Sequence, residues 1–269
     1  MHALAICSMV TYRIDLGCFM STHSRLSVNV NAVAMLRNRR SLPWPNVTNM
    51  AAIALQAGAK GITVHPRPDE RHIRRSDVAE LAEMISTRFP AKELCLEGYP
   101  DASFLELVET TKPTQVLFVP DDPAQTTSDH GWDFGKDSEL LKDVIAAAKS
   151  WGVRTSLFVD PDASEPEKAA TCGADRIEIY TGPYGACPAG SPASLKELER
   201  LLATANAAQA AGLGVNAGHD LTVDNLPPLI TQAPFIGEVS IGHGFVADAL
   251  IHGFAESVRR FRRALREIG

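Results

Sequence analysis

From residue 25 onward, short runs rich in Val, Ile and Leu alternate with longer stretches in which apolar residues recur every three or four positions. The short runs suit strands, whose successive side chains point to opposite faces; the longer spacing lines one face of a helix. Eight strand segments follow: RLSVNVN (25–31), GITVH (61–65), ELCLEG (93–98), QVLFVP (115–120), RTSLFVD (154–160), RIEIYTG (176–182), GLGVNAG (212–218) and GEVSIGHG (237–244). The stretches between them predict helices: VTNMAAIALQAGA capped by Asn46, SDVAELAEMISTRF capped by Ser76, DASFLELVETT capped by Asp101, then SELLKDVIAAAKSW, SEPEKAATCGA and LKELERLLATANAAQAAG. A final helix reads VADALIHGFAESVRRFRRALREI, and a polar loop ending in Pro43 and Pro45 follows the first strand. The AGA, CGA and AGLG segments ahead of strands read as helix ends closed by glycine.

Alternation of β and α without a hairpin signal points to a parallel sheet. Eight units favour a single-domain (β/α)8 TIM barrel over an open doubly wound sheet, and residues 24–269 read as that one domain. Residues 1–23 are mildly apolar, but Arg13 and Asp15 interrupt them, and they lack the basic start and unbroken apolar segment of a secretory signal. They are expected to be a disordered extension, with Met20 an alternative start to Met1. No stretch offers the roughly 18 uninterrupted apolar residues of a membrane span, so no membrane partner is expected. The 269 residues are 45% hydrophobic and 22% charged, enough apolar content for a large soluble core. A net charge of −6 gives no footing for nucleic acid, although basic groups inside a pocket can still hold a small anion. The five cysteines are odd in number and form no CxxC pair, which reads as reduced thiols in a cytoplasmic protein.

Parallel strands of a barrel all end at one mouth, where barrel enzymes do their chemistry. Four strand segments end in His65, Glu97, His219 and His243, so residues far apart in sequence converge. GITVHPRPDERHI (61–73) adds Arg67, Arg71 and His72 in a loop suited to a phosphate or carboxylate, because guanidinium groups bind such anions bidentately. Glu97 closes an apolar run, and burial is expected to raise its pKa towards the range useful for proton transfer. Gly242-His243-Gly244 lies between the last strand and a helix, whose free amides and dipole favour an anion. The same His and Glu side chains include zinc-ligand types, but no HxH or HExxH pair occurs, and the nearby arginines oppose a cation; no metal is assigned. Asp160 and Glu178 read as mouth-lining or ion-paired groups. Cys95 shares the face of Glu97, and Cys172 reads as packing.

The stretches SVNVNAVAMLRNRR (27–40), AGAKGITVHPRPDERHI (57–73), LEGYPDASFLELVETTKP (96–113), RTSLFVD (154–160), VNAGHDL (215–221) and IGHGFVADAL (241–250) lie in order over almost everything after residue 25. In them the chain resembles the pyridoxine 5′-phosphate synthase family of vitamin B6 biosynthesis. The resemblance implies condensation of 3-amino-2-oxopropyl phosphate with 1-deoxy-D-xylulose 5-phosphate, giving pyridoxine 5′-phosphate, inorganic phosphate and water without a cofactor. By motif it implies His65 and Glu97 as proton acceptors and His219 as proton donor. Asn29, Arg40, Asp220, Gly242 and His243 would hold the amino-oxopropyl phosphate, and Arg67, His72 and Thr127 the deoxyxylulose phosphate. It also implies an octamer of barrels. DDPAQTTSDHGWDFGKD (121–137), which contains Thr127, reads as a lid.

The chain departs from the common family pattern at three places. Asn31-Ala32 stands where many members have Asp-His, a pair that helps bind the deoxyxylulose phosphate; Asn31 keeps hydrogen-bonding capacity and remains a binding candidate. Asp220 stands where Gly is common, and Ser41 replaces a glycine after Arg40. Two other classes fit the bare pattern: a different phosphosugar barrel enzyme and a catalytically silent binder of phosphorylated metabolites. No strand end carries a Schiff-base lysine, which weakens an aldolase.

Overall fold

A computed structural model describes residues 24–121, 125 and 127–267. The expectation for residues 1–23 lies outside the described residues. Eight parallel strands, β1 (Arg25–Asn29), β2 (Gly61–Val64), β3 (Glu93–Gly98), β4 (Gln115–Phe118), β5 (Arg154–Val159), β6 (Arg176–Tyr180), β7 (Gly214–Gly218) and β8 (Ile236–Ile241), close in sequence order into a barrel. The last strand pairs with the first, Leu26 opposite Val239 and Val28 opposite Ile241, which removes every sheet edge. The (β/α)8 architecture read from the alternating pattern is therefore the fold.

Strand period divides the side chains into two sets. Leu26, Val28, Ile62, Val64, Leu94 and Leu96 face outward into the layer between sheet and helices and are at most 3% exposed. The inward set is polar where the strands begin. Arg154 donates to Glu93 Oε2 at 2.5 Å and to Gln115 Oε1 at 2.9 Å, Gln115 donates to Glu238 Oε1 at 3.3 Å, and Arg176 donates to Asn216 Oδ1 at 3.1 Å. This belt fills the N-terminal end of the barrel with paired groups. Cys95, Leu117, Val119 and Phe158 pack together inside the barrel. Burial pushes the Cys95 thiol well up, which removes it as a nucleophile.

The helices are α1 (Asn31–Asn38), α2 (Val47–Gln56), α3 (Arg75–Arg88), α4 (Ala102–Thr111), α5 (Phe134–Ser150), α6 (Glu165–Thr171), α7 (Gly182–Gly185), α8 (Pro192–Ala210), α9 (Leu226–Gln232), α10 (His243–His252) and α11 (Phe254–Ala264). Asn46 and Asp101 cap α2 and α4 as read, accepting from the amides of Asn49 and Phe104. Several details differ. The first strand stops at Asn29, and the expected polar loop begins with α1, whose buried face of Val33, Ala34 and Arg37 hides its period behind a charge. That charge is paired: Arg37 donates to Asp77 Oδ1 at 2.5 Å and to the His72 carbonyl at 3.2 Å. The α3 cap is Arg74 rather than Ser76, with the Asp77 carboxylate accepting the Arg74 amide. α9 was masked by its two prolines, and Gly253 (φ +84°) divides the last helical stretch into α10 and α11. No helix among the described residues is long and apolar enough to cross a membrane.

Candidate active site

Because every strand runs the same way, the ends of β2, β3, β6, β7 and β8 surround one cavity of about 250 Å³. Its walls include His65, Glu97 and His219, together with Asn29, Asn31 and Arg67. His72, Thr127, Asp220, Gly242 and His243 complete the set read from the sequence. Arg40 alone is not brought in; it stands exposed on the turn after α1. A larger cavity, about 570 Å³, lies beside this one between the loops after β2, β3 and β4. Tyr99, Phe104, Leu107 and three prolines make much of its wall together with Asp121, and it shares His65 and Arg67 with the smaller cavity. The acid–base groups converge in the smaller one.

His65 follows β2, and its backbone amide donates to Asn31 Oδ1 at 2.9 Å, so the residue that opens α1 fixes where the imidazole begins. Its Nδ1 lies 3.3 Å from Glu97 Oε1, with both side chains buried. Here the sequence expectation is corrected. Burial does push the Glu97 carboxyl up, but the charge and hydrogen bond of His65, the charge of His219 and a hydrogen bond from Ser128 outweigh it, and its pKa falls to about 2. Glu97 is thus an ionised carboxylate held by an imidazole, rather than a carboxyl left neutral by an apolar setting. Glu178 takes the latter role. It lines the cavity from β6, no cation among the described residues pairs with it, and burial reinforced by the charges of Glu97 and Glu238 pushes it well up. Of the two readings given to Glu178 in the sequence, mouth-lining holds and ion-paired does not.

His219 sits at φ +83° and Asp220 at φ +54°, two consecutive left-handed residues of a kind that costs about 1–3 kcal/mol each unless the surroundings impose it. The surroundings do. The Thr181 hydroxyl lies against the carbonyls of Gly218 and His219, and Asn225 Nδ2 donates to the Asp220 carbonyl at 3.1 Å. Asp tolerates this region better than most residues with a side chain. The His219 ring packs 4.9 Å from Phe158 and edge-on to Tyr180 at 5.5 Å.

Hydrogen-bond donors flank these groups on two sides. At α10, the amides of His243, Gly244 and Phe245 precede the first helical bond, which runs from Val246 to the Gly242 carbonyl. Asn29 lies beside Gly242, where a Cβ would meet its Cγ at 3.2 Å. On the other side stand Arg67, His72 and Thr127. His72 Nδ1 accepts the Ile73 amide at 2.9 Å, which leaves Nε2 to carry the proton. Burial, with the charges of His65, Arg67 and Arg71, lowers its pKa to about 4 against the opposing pull of Glu97. His72 is therefore a neutral donor at physiological pH. Arg67 contacts Asp121 closely and donates to the Gln125 carbonyl at 2.9 Å. Among the described residues, no group of three or more His, Cys, Asp or Glu is placed to hold a metal ion.

Asp121 and Ser128 are not among the site residues read from the sequence, which places them only in the 121–137 loop. Ser128 Oγ lies 3.2 Å from Glu97 Oε1 and 3.0 Å from Asp121 Oδ2, joining the loop after β4 to the barrel carboxylate. The available signal was a polar residue directly after the run QVLFVP, the same cue that picked out His65. Gly244 offers a packing test. A Cβ there would stand 2.4 Å from the backbone oxygen of Leu221, so neither group can yield cheaply. Gly244→Ala is expected to push the turn after β7 away from α10 and destabilise the protein by about 1–3 kcal/mol, read as a lower urea midpoint.

The sequence pattern of the family described as "Pyridoxal phosphate biosynthesis protein PdxJ" matches residues 26–267. Pyridoxine 5′-phosphate synthase of Brucella anthropi is 56% identical over 242 residues, covering 90% of this chain and 99% of that protein. The protein of the same name from Mesorhizobium japonicum is 58% identical over 241 residues, covering 90% and 98%. Among solved structures, the tryptophan synthase α-subunit of Pyrococcus furiosus superposes with a TM-score of 0.59 at 13% identity, covering 92% of this chain and 98% of that one. Phosphoribosyl anthranilate isomerase of Thermotoga maritima gives 0.57 at 12% identity, covering 91% and 100%. At that identity the structural likeness speaks to the barrel alone.

Proposed function

This chain belongs to the PdxJ family of pyridoxal phosphate biosynthesis proteins, and we propose that it acts as a pyridoxine 5′-phosphate synthase. The reaction proposed joins 3-amino-2-oxopropyl phosphate to 1-deoxy-D-xylulose 5-phosphate, releasing inorganic phosphate and water as the pyridine ring closes. One observation carries this reading: the buried His65–Glu97 pair, with His219 and Glu178 on the same cavity, lies between two separate clusters of anion donors. Two phosphorylated substrates need two such clusters, and every step of the condensation moves a proton.

In this reading the α10 amides, with Asn29, Asp220, Gly242 and His243, hold the amino-oxopropyl phosphate. The Asp220 side chain would repel an anion, so its part is taken by the backbone. Arg67, neutral His72 and Thr127 hold the deoxyxylulose phosphate, with Asn31 beside them. Arg40, exposed on its turn, would have to swing in to reach the first phosphate. Amine and ketone meet between these anchors, where fixed orientation replaces a chance encounter in water. Ionised Glu97 and His65 take protons from carbon and nitrogen as the ring forms, while His219 and protonated Glu178 give protons to departing oxygen. The exposed apolar side chains Met35, Leu36, Leu250 and Ile251 on α1 and α10 are the surface proposed for assembly into the octamer.

Incubating the purified protein with both substrates and following pyridoxine 5′-phosphate by chromatography and phosphate release tests the reading. Ring product that requires both substrates is the expected result. Turnover of one substrate alone would instead indicate an isomerase or aldolase, and saturable binding without any product a silent barrel.

A further inference from the structure

Asp121 opens the loop after β4, and its buried carboxylate touches more of the site than its position in sequence suggests. Oδ2 meets the Arg67 guanidinium, Ser128 Oγ at 3.0 Å and His65 Nε2 at 3.7 Å. Glu97 Oε1 holds the other nitrogen of the same ring at 3.3 Å. The His65 imidazole therefore lies between two carboxylates, one at each ring nitrogen. A single hydroxyl, Ser128, spans both carboxylates and can donate to only one at a time.

The charges around this ring come from every neighbouring element. Glu97 faces it from β3 and Asp121 from the loop after β4; Arg67, from the loop after β2, sits on Asp121, the charge of Arg71 acts on His72, and that of His219, beyond β7, acts on Glu97. The His72 ring lies 5.9 Å away and is neutral. Arg67 is the closest cation to Asp121. Arg67 is also a guanidinium on the cavity wall, and a dianionic phosphate offers it two charge-assisted bonds where Asp121 offers one carboxylate. A phosphate that takes Arg67 leaves Asp121 with the His65 imidazole, 3.7 Å from its Oδ2, and the Ser128 hydroxyl as its remaining partners.

Resting on the assignment of His65 and Glu97 as the acid–base pair, we propose that Asp121 is a positioning residue. It steadies the His65 ring from the Nε2 side and turns to it fully when a substrate phosphate draws Arg67 away. Phosphate binding and the protonation of His65 are then linked: the anion strengthens the negative setting of the imidazole at the moment the second substrate is in place. Burial and the neighbouring Glu97 charge already push the Asp121 carboxyl up, so of the two carboxylates Asp121 is the readier to share a proton.

The test uses Asp121→Asn, which keeps shape and hydrogen bonding but removes the charge, and Asp121→Glu, which keeps the charge. In Asp121→Asn, kcat is expected to fall about tenfold, with KM for the phosphorylated ketose unchanged or lower because Arg67 is released. The histidine limb of the kcat profile should move about one unit to lower pH, a tenfold change in the proton equilibrium, and Asp121→Glu should restore much of it. An unmoved profile, or a rise in KM alone, would refute the positioning role. A second measurement does not need turnover. The titration of 13C-labelled His65 in the unmodified protein, followed by NMR, should shift to higher pH on saturation with inorganic phosphate, and no shift would overturn the proposal even if Asp121→Asn failed to fold. A protein that makes no ring product but shows the shift would refute the synthase reading and leave the linkage standing.

Discussion

Glu97→Gln is expected to lower kcat by about 10²–10⁴-fold, the usual worth of a positioned general base, while KM for both substrates changes little. The anion donors on the two sides of the cavity do not run through Glu97, so substrates should still bind in the variant. The amide matches the carboxylate in shape and still reaches Ser128, but it cannot take a proton. Stability gives a second, independent readout. The folded protein holds the Glu97 carboxyl at about 2, below its ordinary 4.5. A depressed carboxylate contributes stability above its unfolded value, and that contribution is lost as pH falls through the folded one. Unmodified protein should therefore lose part of its stability between about pH 4.5 and 2 from this group, and the urea midpoint of Glu97→Gln should fall less steeply across that window. Near-normal kcat in the variant would remove Glu97 from the chemistry.

The strand ends were legible because period and polarity are local. An apolar alternating run that stops at His65, Glu97, His219 or His243 announces both the strand and the residue at its tip, and parallel topology brings the tips together. What a group does once there depends on what faces it across the barrel, and no local pattern carries that. Glu97 was expected to be raised by burial; its proximity to His65, 32 positions away, reverses the sign. Asp121 and Ser128 gain their meaning from the same ring. α1 went unread because the charge at Arg37 broke the apolar period, although Asp77, forty residues on, neutralises it. Arg40 shows the converse: motif groups it with the phosphate-binding residues, but the turn that carries it stands exposed.

Glu178→Gln should separate the two buried carboxyls by the sign of its effect on stability. Glu97 is ionised and paired, whereas Glu178 has only like charges, Glu97 and Glu238, to reinforce its burial, and it keeps its proton. A carboxyl whose folded pKa is raised makes the native state bind more protons than the unfolded chain above pH 4.5, so stability falls as pH rises through that range. Replacing it by a neutral amide of the same shape removes that cost. The variant is expected to melt at or above the temperature of the unmodified protein at pH 7, with an advantage that widens as pH rises above the ordinary carboxyl value of 4.5. The site has no spare room, since a Cβ on Gly218 would fall 2.2 Å from Glu178 Oε1, so the near-isosteric amide is the substitution that fits. Activity should move the other way. An amide can donate a hydrogen bond but cannot surrender its proton to a departing oxygen, and kcat should fall by about 10²–10⁴-fold. A residue kept at a cost to stability and lost at a cost to rate fits a site selected for chemistry rather than packing. A variant that is both less stable and fully active would show instead that Glu178 carries a charge, with a role in holding the barrel rather than in the reaction.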